Sequence, residues 1–247
     1  LTNLSVTGDV QSKYFAKVAN VGGIVGISEL TTFNLNTGSF NGNISAGGDN
    51  VGGIVGKLVQ GQMSNVQSQG AITILDEKYN SVRSYIGGIV GHVIEDSTLI
   101  NSFSTSDIDA KAQFVGGLAG RFHGENSVLT GSHFDGSVKG TTAFIGGVAG
   151  FFFGETFHDN YSKAQVLVDR PTPNAYVGGI MGYANSWTSD FKRIYATGDI
   201  TITNGLADYV GGLIGYFRGG NLQNVISVDP FSIQNTEVTL GAGSIIY

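Results

Sequence analysis

Apolar residues recur at fixed positions in a segment of about 30 residues that repeats along the whole chain. Each repeat carries a hexapeptide in which an aliphatic residue is followed by two glycines, two small or aliphatic residues and a third glycine. Seven copies occupy residues 21–26, 51–56, 86–91, 115–120, 145–150, 177–182 and 210–215. Their first glycines stand at 22, 52, 87, 116, 146, 178 and 211, so successive copies lie 29 to 35 residues apart. A period of this length is typical of stacked repeat proteins.

A second segment, clearest in residues 193–200 (RIYATGDI), lies downstream of each hexapeptide and sets the register of three apolar columns. The first column is the residue that ends this segment: Val10, Ile44, Ile72, Ile108, Val138, Val166, Ile200 and Phe231. The second lies two residues before the segment begins: Leu1, Leu35, Met63, Leu99, Leu129, Phe157, Phe191 and Leu222. The third is the fourth hexapeptide position: Ile24, Ile54, Ile89, Leu118, Val148, Ile180 and Leu213.

The repeats predict short strands rather than helices, because they are rich in β-branched residues and glycine and lack a sustained 3.6-residue period. One coil of two or three strands cannot bury its apolar side alone, but coils stacked at ~4.8 Å build a continuous core. We therefore predict one all-β domain over residues 1–247, a β-solenoid (parallel β-helix) of about eight coils. Residues 232–247 are expected to form a degenerate coil or a C-terminal cap, and the crossover rule predicts a right-handed solenoid.

Two positions in each repeat indicate special backbone geometry. The stacked hexapeptide glycines permit a positive φ, a β-bulge or close packing. Because Val21 and Ile24 are both aliphatic yet three residues apart, we interpret the hexapeptide as a bulge. The first position of the second segment predicts a turn with a partial ladder of asparagine amides. It holds Asn3, Asn65, Asn101 and Asn224, with Thr37, Gly131, Asp159 and Arg193 as interruptions.

The amino-acid composition argues against several classes of function. The net charge of −6 and a pI near 5.0 argue against nucleic-acid binding. No cysteine is present, which removes disulfides and thiolate metal sites. No apolar run approaches the ~20 residues of a membrane helix, so we expect no membrane insertion. The start at Leu1 favours a mature fragment or a domain of a larger multidomain chain or filament.

The pairing of V-G-G-[IL]-x-G with a segment of the Y-A-T-G-D-I type, as in residues 195–200, resembles the GLUG-motif repeats of bacterial surface proteins. Such repeats occur in large adhesins and in the non-catalytic region of some secreted IgA-cleaving metallopeptidases. The resemblance covers essentially the whole chain through its seven hexapeptides. It implies a β-solenoid in an extracellular, adhesive protein at the bacterial cell surface, and it transfers no catalytic residue.

Enzymatic motifs are scarce. Neither a phosphate loop nor a dinucleotide fingerprint is present. The four histidines, His92, His123, His133 and His158, form no zinc pattern, and we expect them at the surface. We predict no catalytic residues and no resident metal.

The acidic residues leave two alternatives open. Asp107, Asp109 and Asp135 are the best candidates for a polysaccharide lyase or hydrolase, although the acids do not stay in adjacent repeats. Asp76 with Glu77, or Asp107 with Asp109, are candidates for calcium, the one cofactor that the sequence leaves open. Solvated turn acids remain the simpler interpretation.

The residue after each hexapeptide is predicted to point outward, since the next residue points into the core. This column is Ile27, Lys57, His92, Arg121, Phe151, Tyr183 and Tyr216. The last three residues of this column are aromatic. They predict a ligand-binding surface made of Phe151, Tyr183 and Tyr216, with Trp187 and Arg218 at its margin. The alternative is that these rings merely cover the strands. The variable loops, residues 75–85 and 167–176, are a second possible binding edge.

The sequence thus favours an extracellular structural or adhesive module that binds a cell-surface glycan or protein or acts as a rigid stalk. A carbohydrate-active β-helix enzyme and a phage fibre domain are the alternatives.

Overall fold

The computed structural model describes residues 1–12, 19–29, 33–74, 84–141, 143–169, 174–205 and 207–227, together with the backbone of 231–234. These residues form a β-solenoid of short parallel strands, as predicted. Within the described ranges no helix is long and apolar enough to cross a membrane. Residues 235–247 of the predicted segment 232–247, residues 75–83 of loop 75–85 and residues 170–173 of loop 167–176 lie outside the described residues.

Each coil passes through four parallel sheets, which we number in the order the chain visits them. Sheet 1 contains Thr2–Thr7, Phe33–Asn41, Gly61–Gln69, Ser97–Ile100, Phe103–Ser104, Val128–Thr130, His133–Phe134, Thr156–His158, Tyr161–Ser162, Asp190–Ala196 and Asn221–Ser227. Sheet 2 contains Val10–Ser12, Ile44–Ala46, Ala71–Ile74, Asp107–Ala110, Ser137–Gly140, Gln165–Asp169, Ile200–Thr203 and Phe231–Gln234.

The hexapeptides supply the other two sheets. Sheet 3 contains Asn20–Gly22, Asn50–Gly52, Tyr85–Gly87, Phe114–Gly116, Phe144–Gly146, Tyr176–Gly178 and Tyr209–Gly211. Sheet 4 contains Val25–Ser28, Val55–Leu58, Val90–Val93, Ala119–His123, Ala149–Phe153, Met181–Ala184 and Ile214–Phe217. Sheet 2 therefore has eight strands and sheets 3 and 4 have seven each, which gives about seven turns of a repeat of about 31 residues.

The three predicted apolar columns form the core, except that Leu1 is 62% exposed and Leu222 is half-buried at the two ends of the second column. Ile44 pairs with Ile72, Ile72 with Ile108, and the column continues in register to Ile200, with each of these side chains buried. Val10 and Ile24, in the first coil, are only half-buried because one neighbouring coil covers them. Burial of aliphatic side chains along the whole axis supplies the main stabilising free energy.

The hexapeptide forms a corner between two sheets, so the interpretation as a bulge within one strand was wrong. Sheet 3 ends at the first glycine, and sheet 4 begins three residues later. At the bend, the N–H groups of Ile24 and Val25 both donate to the carbonyl of Ile54, at 3.1 and 3.0 Å. Two donors share one acceptor, so the ladder between coils continues through the turn without an unpaired donor there.

Close packing, and not a positive φ, explains the hexapeptide glycines, none of which has a positive φ. The second glycine of the copy at 115–120, Gly117, lies against the opposite wall of the coil. A Cβ atom there would overlap the carbonyl oxygen of Gly147 and the ring of Phe134. Gly23 faces Phe40 in the same way. The coil is therefore so thin at this level that it has no room for a side chain on both walls.

The predicted turn position has special backbone geometry in all eight coils, although it lies between two strands in three coils and inside a continuous strand in the other five. It adopts the left-handed conformation, with φ of 54° at Asn3, 63° at Thr37, 54° at Asn65, 50° at Asn101, 62° at Gly131, 56° at Asp159, 50° at Arg193 and 55° at Asn224. The predicted amide ladder is wrong, because the side chain of Asn65 donates to Asn36 rather than to its own column. Asparagine is common here because it tolerates the left-handed region better than most residues do.

Candidate binding surface

Two columns of side chains meet on the outside of the corner between sheets 3 and 4. The sheet 3 column is the residue just before each hexapeptide: Asn20, Asn50, Tyr85, Phe114, Phe144, Tyr176 and Tyr209. The sheet 4 column is the residue just after it: Ile27, Lys57, His92, Arg121, Phe151, Tyr183 and Tyr216. We call the eight phenylalanines and tyrosines of both columns the aromatic corner.

The rings of the aromatic corner form two parallel stacks. In sheet 3, from Tyr85 to Tyr209, the centroids of neighbouring rings lie 4.6 to 4.9 Å apart. In sheet 4, the ring centroid of Tyr183 lies 5.4 Å from that of Phe151 and 5.0 Å from that of Tyr216. The two stacks meet edge to face, with centroids 5.3 to 6.2 Å apart and interplanar angles of 75° to 89°. Both arrangements are favourable for aromatic pairs.

The stacking decides which part of each ring a partner can reach. Phe151 and Tyr216 cover the two faces of Tyr183, and Tyr176 packs against it from the side. Tyr183 and Tyr216 are half-buried, and their hydroxyls make no hydrogen bond within the described residues. Phe151, Tyr183 and Tyr216 thus lie together on the outer side, as predicted. Neighbouring rings cover the faces of the rings inside each stack, whose exposed parts are therefore ring edges and phenol oxygens. In the described residues, Tyr209 and Tyr216 at the ends of the stacks have a stacking partner on one face each.

The sheet 3 column was missed in the sequence. It holds an aromatic residue before five of the seven hexapeptides, from Tyr85 to Tyr209, and this regularity was visible. Burial, together with the neighbouring hydroxyls of Tyr209 and Tyr183, raises the pKa of Tyr176. Its phenol therefore stays protonated at neutral pH and can donate a hydrogen bond.

Trp187 and Arg218 lie beside the aromatic corner without joining its stacks. Trp187 is 77% exposed in the turn after Met181–Ala184, and its ring lies next to Gly219. No ring contact joins it to Tyr183 or Tyr216 in the described part of the chain. The exposed Arg218 follows Tyr216 by two residues, and its backbone N–H donates to the carbonyl of Ala184 at 2.9 Å. Trp187 is the one residue of the predicted surface that offers a large exposed aromatic area.

The other end of the sheet 4 column is polar. His92 is buried, so its predicted surface position was wrong; its ring stacks on Tyr85 at 3.9 Å. Burial first, and then the charges of Arg121 and Lys57, lower the pKa of His92 to about 3. The guanidinium carbon of Arg121 lies 5.9 Å from the Tyr85 ring and 5.3 Å from the Phe151 ring. The column thus changes from two cations and a neutral imidazole to a run of aromatic rings.

The remaining histidines are half-buried: His123 and His133 lie in other ring stacks, and His158 lies 3.2 Å from a carboxylate oxygen of Asp190. On the outer face of sheet 1, Phe103, His133, Tyr161 and Tyr195 stack with centroids 4.5 to 5.1 Å apart. This column was also missed, because its members differ in chemical class. It provides a second stack of tyrosines against which the aromatic corner can be compared.

The acids singled out in the sequence take part in ladders between neighbouring coils. Asp107 accepts a hydrogen bond from Ser137 at 2.7 Å, Asp109 pairs with Lys139 at 2.9 Å, and Asp135 pairs with Lys163 at 3.2 Å. Among the described residues no group of three or more histidines, aspartates or glutamates could hold a metal ion. Asp76 and Glu77 lie outside the described residues.

An open cleft of about 570 Å³ lies where the chain passes from sheet 4 to sheet 1. Its lining includes Glu95, Asp96, Glu125 and the stacked rings of His123 and Phe153. Hydrogen bonds from Asn126 lower the pKa of Asp96, so this carboxylate stays ionised. The cleft therefore presents hydrogen-bond acceptors beside aromatic rings.

No family model matches the chain, and no curated protein or solved structure shows significant similarity to it. The fold and the geometry of the outer surface are therefore the basis for the functional proposal.

Proposed function

We propose that the chain is a structural and adhesive module of a bacterial surface protein, which acts outside the cell and binds a cell-surface glycan or protein. The observation that carries the proposal is the aromatic corner. Eight rings run along one edge of a stiff solenoid, and six of them, from Phe144 and Phe151 onward, are only half-buried. A run of partly exposed aromatic side chains on a rigid support is typical of a contact surface.

The solenoid supplies the rigidity that such a surface needs. From the first coil to the seventh, neighbouring coils pair through four parallel sheets, and the corner continues the backbone ladder without interruption. A stacked tyrosine therefore has little rotamer freedom left to lose when a partner binds. The same stiffness suits a stalk that holds other parts of a longer chain away from a surface. The resemblance of the hexapeptides to GLUG-motif repeats supports the extracellular setting of the proposal.

The ring geometry specifies how contact would be made. Since ring faces are covered by neighbouring rings, a partner would meet ring edges and the hydroxyls of Tyr176, Tyr183 and Tyr216. These hydroxyls can exchange hydrogen bonds with sugar hydroxyls or with the backbone of a protein. Trp187 would add apolar contact at the margin.

The test compares two tyrosine pairs. A screen of glycans and surface proteins first identifies a partner of the wild-type chain. Its affinity is then measured for Tyr183→Phe/Tyr216→Phe and for the control Tyr161→Phe/Tyr195→Phe, which alters the stack on sheet 1. Both variants keep every ring. The proposal expects a loss of ~1 to 3 kcal/mol for the first pair, from two lost hydrogen bonds, and none for the control. Equal affinity of both variants and wild type would place the site elsewhere.

The cleft lined by Glu95, Asp96 and Glu125 favours a second candidate, a carbohydrate-active enzyme, since glycoside hydrolysis uses paired carboxylates. The proposal of a binding module expects no cleavage of acidic or neutral polysaccharides. Reproducible chain shortening that is abolished by Glu95→Gln or Glu125→Gln, and retained in Asp107→Asn, would favour the enzyme.

A further inference from the structure

The outer column of sheet 4 contains two cations without a counter-ion. Lys57 and Arg121 flank His92 in consecutive coils, and their strands are in register. No carboxylate lies within ion-pair distance of either cation in the described part of the chain. Four other described cations are paired: Lys139 with Asp109, Lys163 with Asp135, Lys192 with Asp190 and Arg193 with Asp159. In a chain of net charge −6, two uncompensated cations only two coils apart in one column are unusual.

Arg121 is held in place before any ligand arrives. Its guanidinium lies near the rings of Tyr85 and Phe151, and its Nη1 is 3.5 Å from Nε2 of His92. Both ring contacts are favourable cation–π interactions. His92 is neutral, so it adds no charge of its own and can accept from the guanidinium. The half-buried Arg121 side chain therefore loses little freedom when it binds an anion.

The distance between the positive charges of Lys57 and Arg121 limits the kind of ligand that can contact both. Lys57 and Arg121 are separated by two coil spacings, roughly 10 Å at ~4.8 Å per coil. The aromatic corner continues the same column from Phe151 to Tyr216. A matching ligand is a linear chain with anionic groups on alternate units and polar hydroxyls between them. Acidic polysaccharides have this repeat, and one extended sugar advances by a distance close to one coil.

We infer that Lys57 and Arg121 form the anion-binding end of a binding surface for an acidic polysaccharide, which runs along the sheet 4 column toward Tyr183 and Tyr216. This inference rests on the proposed adhesive function and names its ligand class. The carboxylate or sulfate groups of alternate sugars pair with the two cations. The sugar hydroxyls between and beyond them contact the tyrosine edges.

The experiment uses three oligosaccharides of equal length: one with a carboxylate on alternate sugars, a sulfated counterpart and a neutral one. Calorimetry measures the binding of each to the wild-type chain, to Lys57→Gln/Arg121→Gln and to the control Lys139→Gln/Lys163→Gln. The control removes the same two charges from another face of the solenoid. Lys57→Gln alone serves as a second variant, because Lys57 contacts no aromatic ring in the described residues and its loss should leave folding intact.

We expect the acidic oligosaccharides to bind the wild type and the control equally, and the Lys57→Gln/Arg121→Gln variant about tenfold or more weakly. Lys57→Gln alone should lose part of this affinity, and the preference for carboxylate or sulfate identifies the anion. If Lys139→Gln/Lys163→Gln bound the acidic oligosaccharides as weakly as Lys57→Gln/Arg121→Gln does, binding would reflect unspecific charge attraction, and the inference would be overturned. Binding of the neutral oligosaccharide alone, or of a protein, at Tyr183 and Tyr216 would overturn the inference but retain the proposed function.

Discussion

The guanidinium of Arg193 forms a two-pronged ion pair with Asp159 one coil away, with Nε and Nη2 at 2.6 and 2.7 Å from the two carboxylate oxygens. Both residues adopt the left-handed backbone conformation, with φ of 50° and 56°. Six other coils place asparagine, glycine or threonine at this position. The ion pair thus joins the two coils that have a charged residue at this position. Aspartate tolerates the left-handed region, whereas arginine is not among the residues enriched there.

This pair should make stability depend on pH. The Arg193 guanidinium lowers the pKa of Asp159 below its value in the unfolded chain. A depressed carboxyl pKa contributes stability that is present above the unfolded value of ~3.9 and is lost as the pH falls through the folded value. Arg193→Gln should therefore lower the melting temperature slightly at pH 7, and the effect should shrink as the pH falls toward 2. An equal difference at both pH values in thermal unfolding would contradict the ion-pair explanation.

Thr37 should be replaceable with a gain in stability. It is a β-branched, exposed residue with φ of 63°, a conformation that costs such residues roughly 1–2 kcal/mol. Asparagine adopts it more readily, so Thr37→Asn should raise the free energy of unfolding by ~0.5–1 kcal/mol in urea. Thr7→Asn, at an exposed strand position without a positive φ, is the control and should give no gain. A similar increase in both variants would argue against backbone strain at Thr37.

The second hexapeptide glycine should tolerate no side chain. Gly117→Val should cost well over the ~1 kcal/mol expected from strand propensity, and Gly117→Ala ~1–3 kcal/mol, because each forces the coil walls apart. Gly38→Ala is a suitable control, because its Cβ would approach only the flexible side chain of Leu35 at 3.1 Å. Urea midpoints compare the three variants. If Gly117→Ala matched the control, the thin-coil explanation of the glycines would fail.

His92 should make the fold sensitive to mild acid. Its pKa is lowered from 6.5 to about 3 in the folded state, chiefly by burial. The unfolded chain therefore binds a proton first, and the stability that neutral His92 provides is lost as the pH falls from ~6.5 toward 3, by up to ~1.4 kcal/mol per pH unit. His92→Phe keeps a ring against Tyr85 and should flatten the stability curve between pH 7 and pH 5. An unchanged slope in urea unfolding would show that other groups cause the acid sensitivity.

The repeat could be predicted because stacked coils force chemically similar residues into one column. The buried column from Ile44 to Ile200 and the left-handed turn at Asn65 and Asn101 both follow from recurrence alone. The corner was misinterpreted as a bulge, because a spacing of three residues between aliphatic positions does not distinguish a kinked strand from a strand that ends. Only the packing of Gly117 against Phe134 shows that the coil is thin at that level.

The candidate site was predicted in part. Alternation along sheet 4 placed Phe151, Tyr183 and Tyr216 on the outside, but it could not show that their faces are covered by one another. Which side chains of two columns touch depends on which sheets meet at a corner. The alternation of residues along one strand does not show which other strand lies beside it. The burial of His92 against Tyr85 was missed for the same reason.

The central claim is that a partner binds along the aromatic corner. The most direct measurement is fluorine NMR of the folded chain labelled with 3-fluorotyrosine, with signals assigned by single Tyr→Phe variants and followed during titration with the partner found by screening. If a partner binds along the aromatic corner, the signals of Tyr183 and Tyr216 shift in proportion to occupancy while those of Tyr161 and Tyr195 stay fixed. Saturable binding that shifts the signals of Tyr161 and Tyr195, or that leaves those of Tyr183 and Tyr216 unchanged, would contradict it.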